Sequence, residues 1–147
     1  MSDLSKFILI FLFMSASLSA AQDVAFYRDD IKGVVIDKKR DLMWQDDHLA
    51  SEVEKSYTDA KVYCKALNFA GFTDWYLPDV NELKSIVKAE NYPRAIYNIF
   101  HNVASGYYWS SSEHTSEYAW IVLFIYEDVV YYHKRDESYV RCVRKVQ

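Results

Sequence analysis

Two polar segments in the last third of the chain carry residue types suited to binding a ligand. Residues 111–117 (SSEHTSE) and 134–138 (KRDES) combine hydroxyl, carboxylate and imidazole groups, and each interrupts strongly apolar sequence. Such groups hydrogen-bond a polyol or a polar peptide, and binding groups gather on loops held by rigid elements. We therefore predict a ligand-binding surface made of Tyr108, Glu113, His114, Glu117, Tyr118, Tyr132, His133 and Asp136.

The aromatic members of this surface have an alternative role in the hydrophobic core. Filling the core is the commoner use of any single aromatic side chain, since these rings bury large apolar areas. We expect the tryptophans to be mainly structural: Trp44, Trp75, Trp109 and Trp120.

The acidic groups of the same segments raise the question of a metal. Glu113, Glu117, Asp136 and Glu137 are hard oxygen ligands that would suit calcium if they converged. A solvated acidic rim is the simpler interpretation. His114 and His133 stand on separate segments, which is a weak signal for a transition metal. We therefore expect neither a metal nor a cofactor.

The sequence contains no recognisable catalytic motif. It has no nucleophile elbow, no HExxH and no phosphate-binding loop. The serine run 110–112 lies close to His114, but this spacing does not make a catalytic triad. We predict a protein that is not an enzyme.

Two cysteines, Cys64 and Cys142, are the only ones in the chain. An oxidising compartment makes a disulfide between them the expected state, and two buried free thiols are the alternative. Neither cysteine lies in a C-x-x-C pair or beside a histidine, which disfavours a metal or nucleophile role.

The first residues are typical of a signal peptide. Lys6 precedes an apolar run over residues 7–14 and a small-residue stretch over 15–21, which predicts cleavage after Ala21. The apolar run is too short to cross a hydrocarbon core, which needs about 20 residues. Asp3 weakens the positive charge ahead of the run, so an uncleaved tether is the alternative. We expect an exported protein, periplasmic, cell-surface or secreted, with no membrane span after cleavage.

Charge and length limit the remaining functions. The net charge of −4 lacks the broad positive field that nucleic acid selects, so we expect no nucleic-acid partner. The length suits one domain with a single core. We assign residues 1–21 to the signal peptide, 22–32 to an N-terminal arm and 33–147 to the domain.

The elements that must position the polar segments follow an α+β order. A hairpin is predicted from residues 34–36 and 42–44, followed by a helix capped by Ser56 and a second helix capped by Asp79. Apolar residues at helical spacing near 96–100 suggest one or two further turns. Strands are then predicted at the following positions: 107–110, 119–126, 129–133 and 139–143. The strand at 119–126 is apolar almost throughout and is expected to be central.

Three stretches, read together, resemble the bacterial Lcl C-terminal-like domains, a family named after the C-terminal domain of a collagen-like adhesin. The first stretch is VVID (34–37) followed by LMWQ (42–45). The second consists of DA (59–60) through YC (63–64), LN (67–68), AGFTDWYLP (70–78) and EL (82–83). The third consists of YWSSS (108–112), AW (119–120) and YVRCVR (139–144). The resemblance implies a C-type lectin-like fold, with two helices packed on a mainly antiparallel twisted sheet. It also implies one disulfide from the first helix to the last strand, as Cys64 and Cys142 would form. This chain departs from the family pattern at Arg40-Asp41, where Thr-Gly is usual, and at Tyr76, where a basic residue is usual.

A fold of this kind hosts many functions, so the resemblance does not identify the ligand. The adhesin domain that names the family is associated with sulfated polysaccharides, which match an acidic chain poorly. We predict an exported, adhesin-like, non-catalytic module that recognises a glycan or protein ligand in the envelope or outside the cell. The alternative is a structural or assembly domain of an envelope or surface complex with no small ligand.

Overall fold

The computed structural model describes residues 25–126 and 128–147, in which an antiparallel sheet, a mainly antiparallel sheet and two helices form an α+β fold. The predicted signal peptide and the first residues of the predicted arm lie outside the described residues. The strands are β1 Phe26–Asp29, β2 Val34–Asp37, β3 Leu42–Gln45, β4 Glu54–Lys55, β5 Tyr107–Glu113, β6 Tyr118–Leu123, β7 Asp128–His133, β8 Ser138–Tyr139 and β9 Val143–Lys145. The helices are α1 Tyr57–Ala66 and α2 Val80–Lys84, with short 3-10 helices at His48–Ser51 and Ala89–Asn91.

The first sheet has the strand order β1-β2-β3-β9, and every neighbouring pair is antiparallel. The predicted hairpin is confirmed as β2 and β3. Its turn is held by the buried carboxylate of Asp37, which accepts hydrogen bonds from the backbone N–H groups of Lys39 and Arg40. Asp41 supplies the positive φ, 53°, that a Thr-Gly turn would place on glycine.

The segment assigned to an N-terminal arm, residues 22–32, contains a strand within its described part. Phe26–Asp29 forms β1, an edge strand in which Phe26 lies opposite Asp37. Phe26 is buried against the rings of Tyr97 and Phe100, and this packing holds the strand on the sheet. The lack of sequence periodicity in so short a segment concealed it.

The second sheet has the order β4-β8-β5-β6-β7 and places β6 between two partners, as predicted for a central strand. All its pairs are antiparallel except β5 with β8. The predicted strand at 139–143 is instead two strands, because β8 joins the second sheet and β9 the first. The single sheet that was expected is therefore two sheets.

Both helices begin where the capping residues predict. Ser56 accepts a hydrogen bond from the backbone N–H of Asp59 at the start of α1, and Asp79 forms a reciprocal capping box with Glu82 at the start of α2. The second helix is shorter than its apolar stripe suggests, since it ends at Lys84 although Ile86 is also buried. One of the turns expected near Ile96 and Phe100 forms, since the backbone N–H of Phe100 donates to the carbonyl of Tyr97 at 3.0 Å, but it does not extend into a helix. Ile96 and Phe100 are both buried, as expected.

Two hydrophobic clusters form the interior, one beside each helix. Alternate residues of the first hairpin enter different clusters: Val35 and Trp44 lie with Leu83 of α2, whereas Val34 and Met43 lie with Ala60 of α1. This alternation follows from the period of two along a strand and shows that the first sheet is covered on both faces. Within the described residues, no helix is long and apolar enough to cross a membrane.

The disulfide between Cys64 and Cys142 is confirmed. The Cα atoms of the two residues are 5.4 Å apart, and both side chains are fully buried. The bridge joins the core-facing side of α1 to the residue that precedes β9.

Candidate functional site

An open groove lies between α1 and the end of β5, with a volume of about 830 Å³. We call it the α1–β5 groove. Helix α1 forms one wall, and the rest of the lining comes from the segment before α2, from the end of β5 and the turn after it, and from Lys134 after β7. It is lined by Tyr57, Thr58, Lys61, Val62, Lys65, Trp75, Tyr76, Leu77, Ser111, Glu113, Ser116 and Lys134.

Tyr57 lines the groove and is held in place by contacts of both its ring and its hydroxyl. It is the first residue of α1, and its ring packs edge-on against Trp109 at 5.6 Å. Its hydroxyl donates a hydrogen bond to the carbonyl oxygen of Ser111 at 2.8 Å and lies 3.5 Å from a carboxylate oxygen of Glu113. Burial, followed by the negative charge of Glu113, raises the pKa of Tyr57 to about 12. The phenol is therefore a neutral donor throughout the physiological range.

Two lysine ammonium groups lie close to the Tyr57 ring. The Nζ atoms of Lys61 and Lys134 lie 5.4 Å and 5.0 Å from the centroid of the Tyr57 ring, within the range of cation–π attraction. Lys134 is also paired with Glu113 at 3.3 Å and donates to the carbonyl of Ser116. Among residues 25–126 and 128–147, Lys61 and Lys65 form no ion pair. The groove thus carries three ammonium groups against one carboxylate, although the whole chain is acidic.

The far end of the groove is set by Tyr76, one of the two departures from the family pattern. Its hydroxyl donates to a carboxylate oxygen of Glu82 at 2.8 Å, and Lys145 donates to the same oxygen at 3.0 Å. Burial, with the charge of Glu82, raises the pKa of Tyr76. Lys145 therefore supplies from β9 a positive charge that lies next to the residue at position 76.

The two predicted polar segments are brought together. The backbone N–H of Lys134 donates to the carbonyl of Glu117 at 2.8 Å, and Tyr118 lies opposite His133 across β6 and β7. The first segment is less of a loop than predicted, since β5 continues to Glu113 after a bulge. The exposed carboxylates Glu117 and Asp136 lie in the turns, and their part in binding stays a prediction.

The structure divides the predicted surface among separate places. Glu113 lines the α1–β5 groove, whereas His114, Tyr118 and His133 lie in an aromatic cluster with Trp120 and Tyr131. In this cluster the imidazole of His114 stacks on the ring of Tyr131, with centroids 4.2 Å apart and planes 14° apart. We call it the aromatic patch. Trp120 is half-buried here, while the other three tryptophans are buried as expected.

Tyr108 is a correction to the predicted surface. Its side chain is fully buried beside Phe124 and Tyr139. Its hydroxyl donates to the carbonyl of Ala50 at 2.8 Å and accepts from the N–H of Ala104 at 2.9 Å. With both hydrogen-bonding roles used inside the protein, Tyr108 does not face a ligand. Tyr132 is exposed but lies beside Tyr107, away from the groove and the patch.

The acidic side chains that were weighed as calcium ligands do not converge. Among the described residues, no group of three or more His, Cys, Asp and Glu side chains is arranged to hold a metal ion. Glu113 is instead paired with Lys134 across the groove.

The helical wall of the groove was missed from the sequence. Thr58, Lys61, Val62 and Lys65 recur at the i, i+3, i+4 and i+7 positions of one helical face. Two lysines with an apolar residue on such a face usually mark a solvated helix surface. An apolar residue on the same face as two lysines, Val62, was the available signal that this face borders a groove. In the structure Val62 is 61 % accessible.

The family model for the Lcl C-terminal domain matches residues 33–144, which is most of the chain, and the chain therefore belongs to this family. A search of curated proteins finds no match.

Proposed function

From family membership and the geometry of the α1–β5 groove, we propose that the chain is an exported, non-catalytic binding module for a glycan or protein ligand that presents an anionic group. The observation that carries the proposal is the pair of unbalanced lysines, Lys61 and Lys65, on one wall of an open groove of about 830 Å³. A pocket of this size holds several sugar rings or a short peptide segment.

The groove combines the contacts that such a ligand needs. The ammonium groups of Lys61 and Lys65 attract a carboxylate or another anionic group, and their flexible stems let them adjust to its position. Val62 and Leu77 add apolar contact, while Ser116 offers a hydroxyl group on the opposite side. The acidic composition led us to expect a poor match to anionic ligands such as sulfated polysaccharides. The net positive charge of the groove alters this expectation, because the local field decides what a cleft attracts.

A binding role fits the groove better than a catalytic one. Its acid and base, Glu113 and Lys134, are paired with each other at 3.3 Å, and Tyr57 is held neutral by burial. A phenol with a raised pKa resists the loss of its proton, which general base catalysis by Tyr57 would require.

Export and the C-type lectin-like fold are parts of the same proposal. The disulfide and the predicted signal peptide over residues 1–21 support export, since disulfides persist in oxidising compartments. The link from α1 to the residue before β9 agrees with the cysteine placement that the C-type lectin-like fold implies.

A glycan array that includes both neutral and acidic glycans tests the ligand class, with a pull-down from the envelope fraction for a protein ligand. The double substitution Lys61→Glu/Lys65→Glu should weaken binding at least about tenfold, and binding by the native chain should fall as salt rises. The matched control is Lys38→Glu/Lys39→Glu, which makes the same change of charge in the β2–β3 turn. Equal loss in both variants, or full binding by the groove variant, would exclude the groove.

The aromatic patch favours a second candidate function, that of an assembly domain. Tyr131 is 51 % accessible and carries the stacked ring of His114, so the patch exposes aromatic surface of the kind enriched at protein interfaces. The substitution Tyr131→Ser should then release a partner chain that co-purifies from the envelope, whereas Lys61→Glu/Lys65→Glu should leave it bound.

A further inference from the structure

A second, smaller cleft opens where β4, β8 and the start of β5 meet, and its lining differs in chemistry from that of the groove. Its volume is about 260 Å³. The walls are three tyrosines, Tyr107, Tyr132 and Tyr139, and the carboxylates of Glu54 and Glu137 contribute to its lining. We call it the tyrosine cleft.

The aromatic lining is held by specific contacts. The rings of Tyr107 and Tyr132 meet edge to face at 5.6 Å, with an interplanar angle of 83°. The ring of Tyr139 lies against the backbone of Gly106 so closely that a Cβ atom there would be 2.5 Å from Cε2 of the ring. Tyr108 supports the same ring from the core at 5.5 Å. The walls are therefore held in place by contacts within the protein.

The charged side chains that line the cleft are all negative. Both Glu54 and Glu137 are exposed and form no ion pair with any residue in the described ranges, and none of the residues that line the cleft is Lys, Arg or His. Glu54 lies opposite Tyr139 across β4 and β8. Burial, and next the charge of Glu54, raises the pKa of Tyr139.

We propose that the tyrosine cleft is a binding site for an organic ammonium ion, separate from the α1–β5 groove. The faces of aromatic rings attract cations through their quadrupole, and nearby carboxylates add a favourable charge. Neither an anion nor an apolar ligand would gain from two unpaired carboxylates beside three phenol rings. The proposal does not depend on the function of the groove.

The three glycines of the chain provide a direct test. In protein labelled with ¹⁵N-glycine, Gly106 lines the cleft, whereas Gly33 and Gly71 do not and serve as internal controls. Titration with choline or with methylammonium should shift the Gly106 signal to saturation and leave the other two unmoved. The neutral isostere of choline, 3,3-dimethylbutan-1-ol, should give at least tenfold weaker binding.

Variants separate the contribution of the rings from that of the charges. Tyr132→Leu and Glu54→Gln/Glu137→Gln should each raise the Kd for choline about fivefold to tenfold, whereas Tyr132→Phe, which keeps the ring, should retain the native Kd. Glu90→Gln/Asp128→Asn removes two exposed carboxylates that line neither the cleft nor the groove and is the matched control, with no expected change. If the cleft binds choline but not methylammonium, it is a site for quaternary ammonium ions. If it binds methylammonium but not choline, it is a site for primary ammonium groups.

The proposal is overturned by any of three results. The first is a Gly106 signal that stays in place with both cations at high millimolar concentration. The second is equal affinity for choline and its neutral isostere, which would make the cleft a site for small polyols or alcohols. The third is unchanged binding in the double glutamine variant.

Discussion

The carboxylate of Asp46 accepts a hydrogen bond from the guanidinium of Arg141 at 2.7 Å, and both side chains are fully buried. The same carboxylate also pairs with Arg28 of β1 and accepts hydrogen bonds from the backbone N–H groups of His101 and Asn102. The Asp46 carboxylate therefore connects the end of β3 to three other parts of the chain. These are β1, residues 101–102 and Arg141, which precedes Cys142.

Replacing Asp46 by Asn should destabilise the fold strongly. The substitution leaves the buried guanidinium of Arg141 without its counter-charge, which typically costs about 3–5 kcal/mol. Urea denaturation measures the loss. Asp136→Asn, at an exposed turn position, should change the free energy of unfolding by less than about 0.5 kcal/mol. If the two variants were equally stable, the buried network would have no energetic importance.

The disulfide between Cys64 and Cys142 should make a large contribution to the free energy of unfolding. Intact mass of the native protein should lie about two hydrogens below that of the reduced form. On the loop-closure model, Cys64→Ser/Cys142→Ser should lower the free energy of unfolding by about 4 kcal/mol. Recovery of two freely alkylated thiols from native, exported protein would contradict the bridge.

Stability should fall at alkaline pH in a way that depends on Tyr57. The folded pKa of Tyr57, about 12, is above the unfolded value near 10, so the native state favours the protonated phenol. This contribution is fully present below pH 10 and is lost as pH rises from about 10 to 12. Denaturation of Tyr57→Phe should show a smaller loss over that interval, whereas Tyr27→Phe, at an exposed ring, should follow the native chain.

Gly106→Ala should disturb the tyrosine cleft without a change of backbone conformation. The new Cβ atom would meet the Tyr139 ring at 2.5 Å, so the ring must move away from its place against Tyr108. Overpacking of this kind costs about 1–3 kcal/mol. Ser105→Ala, one residue earlier and exposed, should be neutral in thermal unfolding. A native melting temperature for the glycine variant would show that the ring has room to shift.

Features determined by neighbouring residues could be predicted from the sequence. The capping residues Ser56 and Asp79 identified the starts of both helices, because a cap acts within one turn. The hairpin of β2 and β3 was visible for the same reason.

Features determined by distant partners could not be predicted. Which sheet β8 and β9 join depends on β4, β5 and β3, far away in the chain. Tyr107 and Tyr108 are equally plausible surface residues by composition, but neighbouring strand residues face opposite sides, so the register alone sends Tyr108 into the core. The groove likewise required the position of α1 relative to Glu113, which no sequence spacing encodes.

The pairing of β3 with β9 has a consequence for the order in which the domain folds. Trp44 lies opposite Val143, so the first sheet needs residues from near both ends of the described chain before it is complete. Contacts between positions so distant in sequence slow folding, because the entropy of closing a long loop must be overcome first. The β1–β2–β3 ribbon is synthesised early, yet its outer edge at β3 stays open until the last strand emerges. Until then, that edge is accessible to any chaperone that protects unpaired strands.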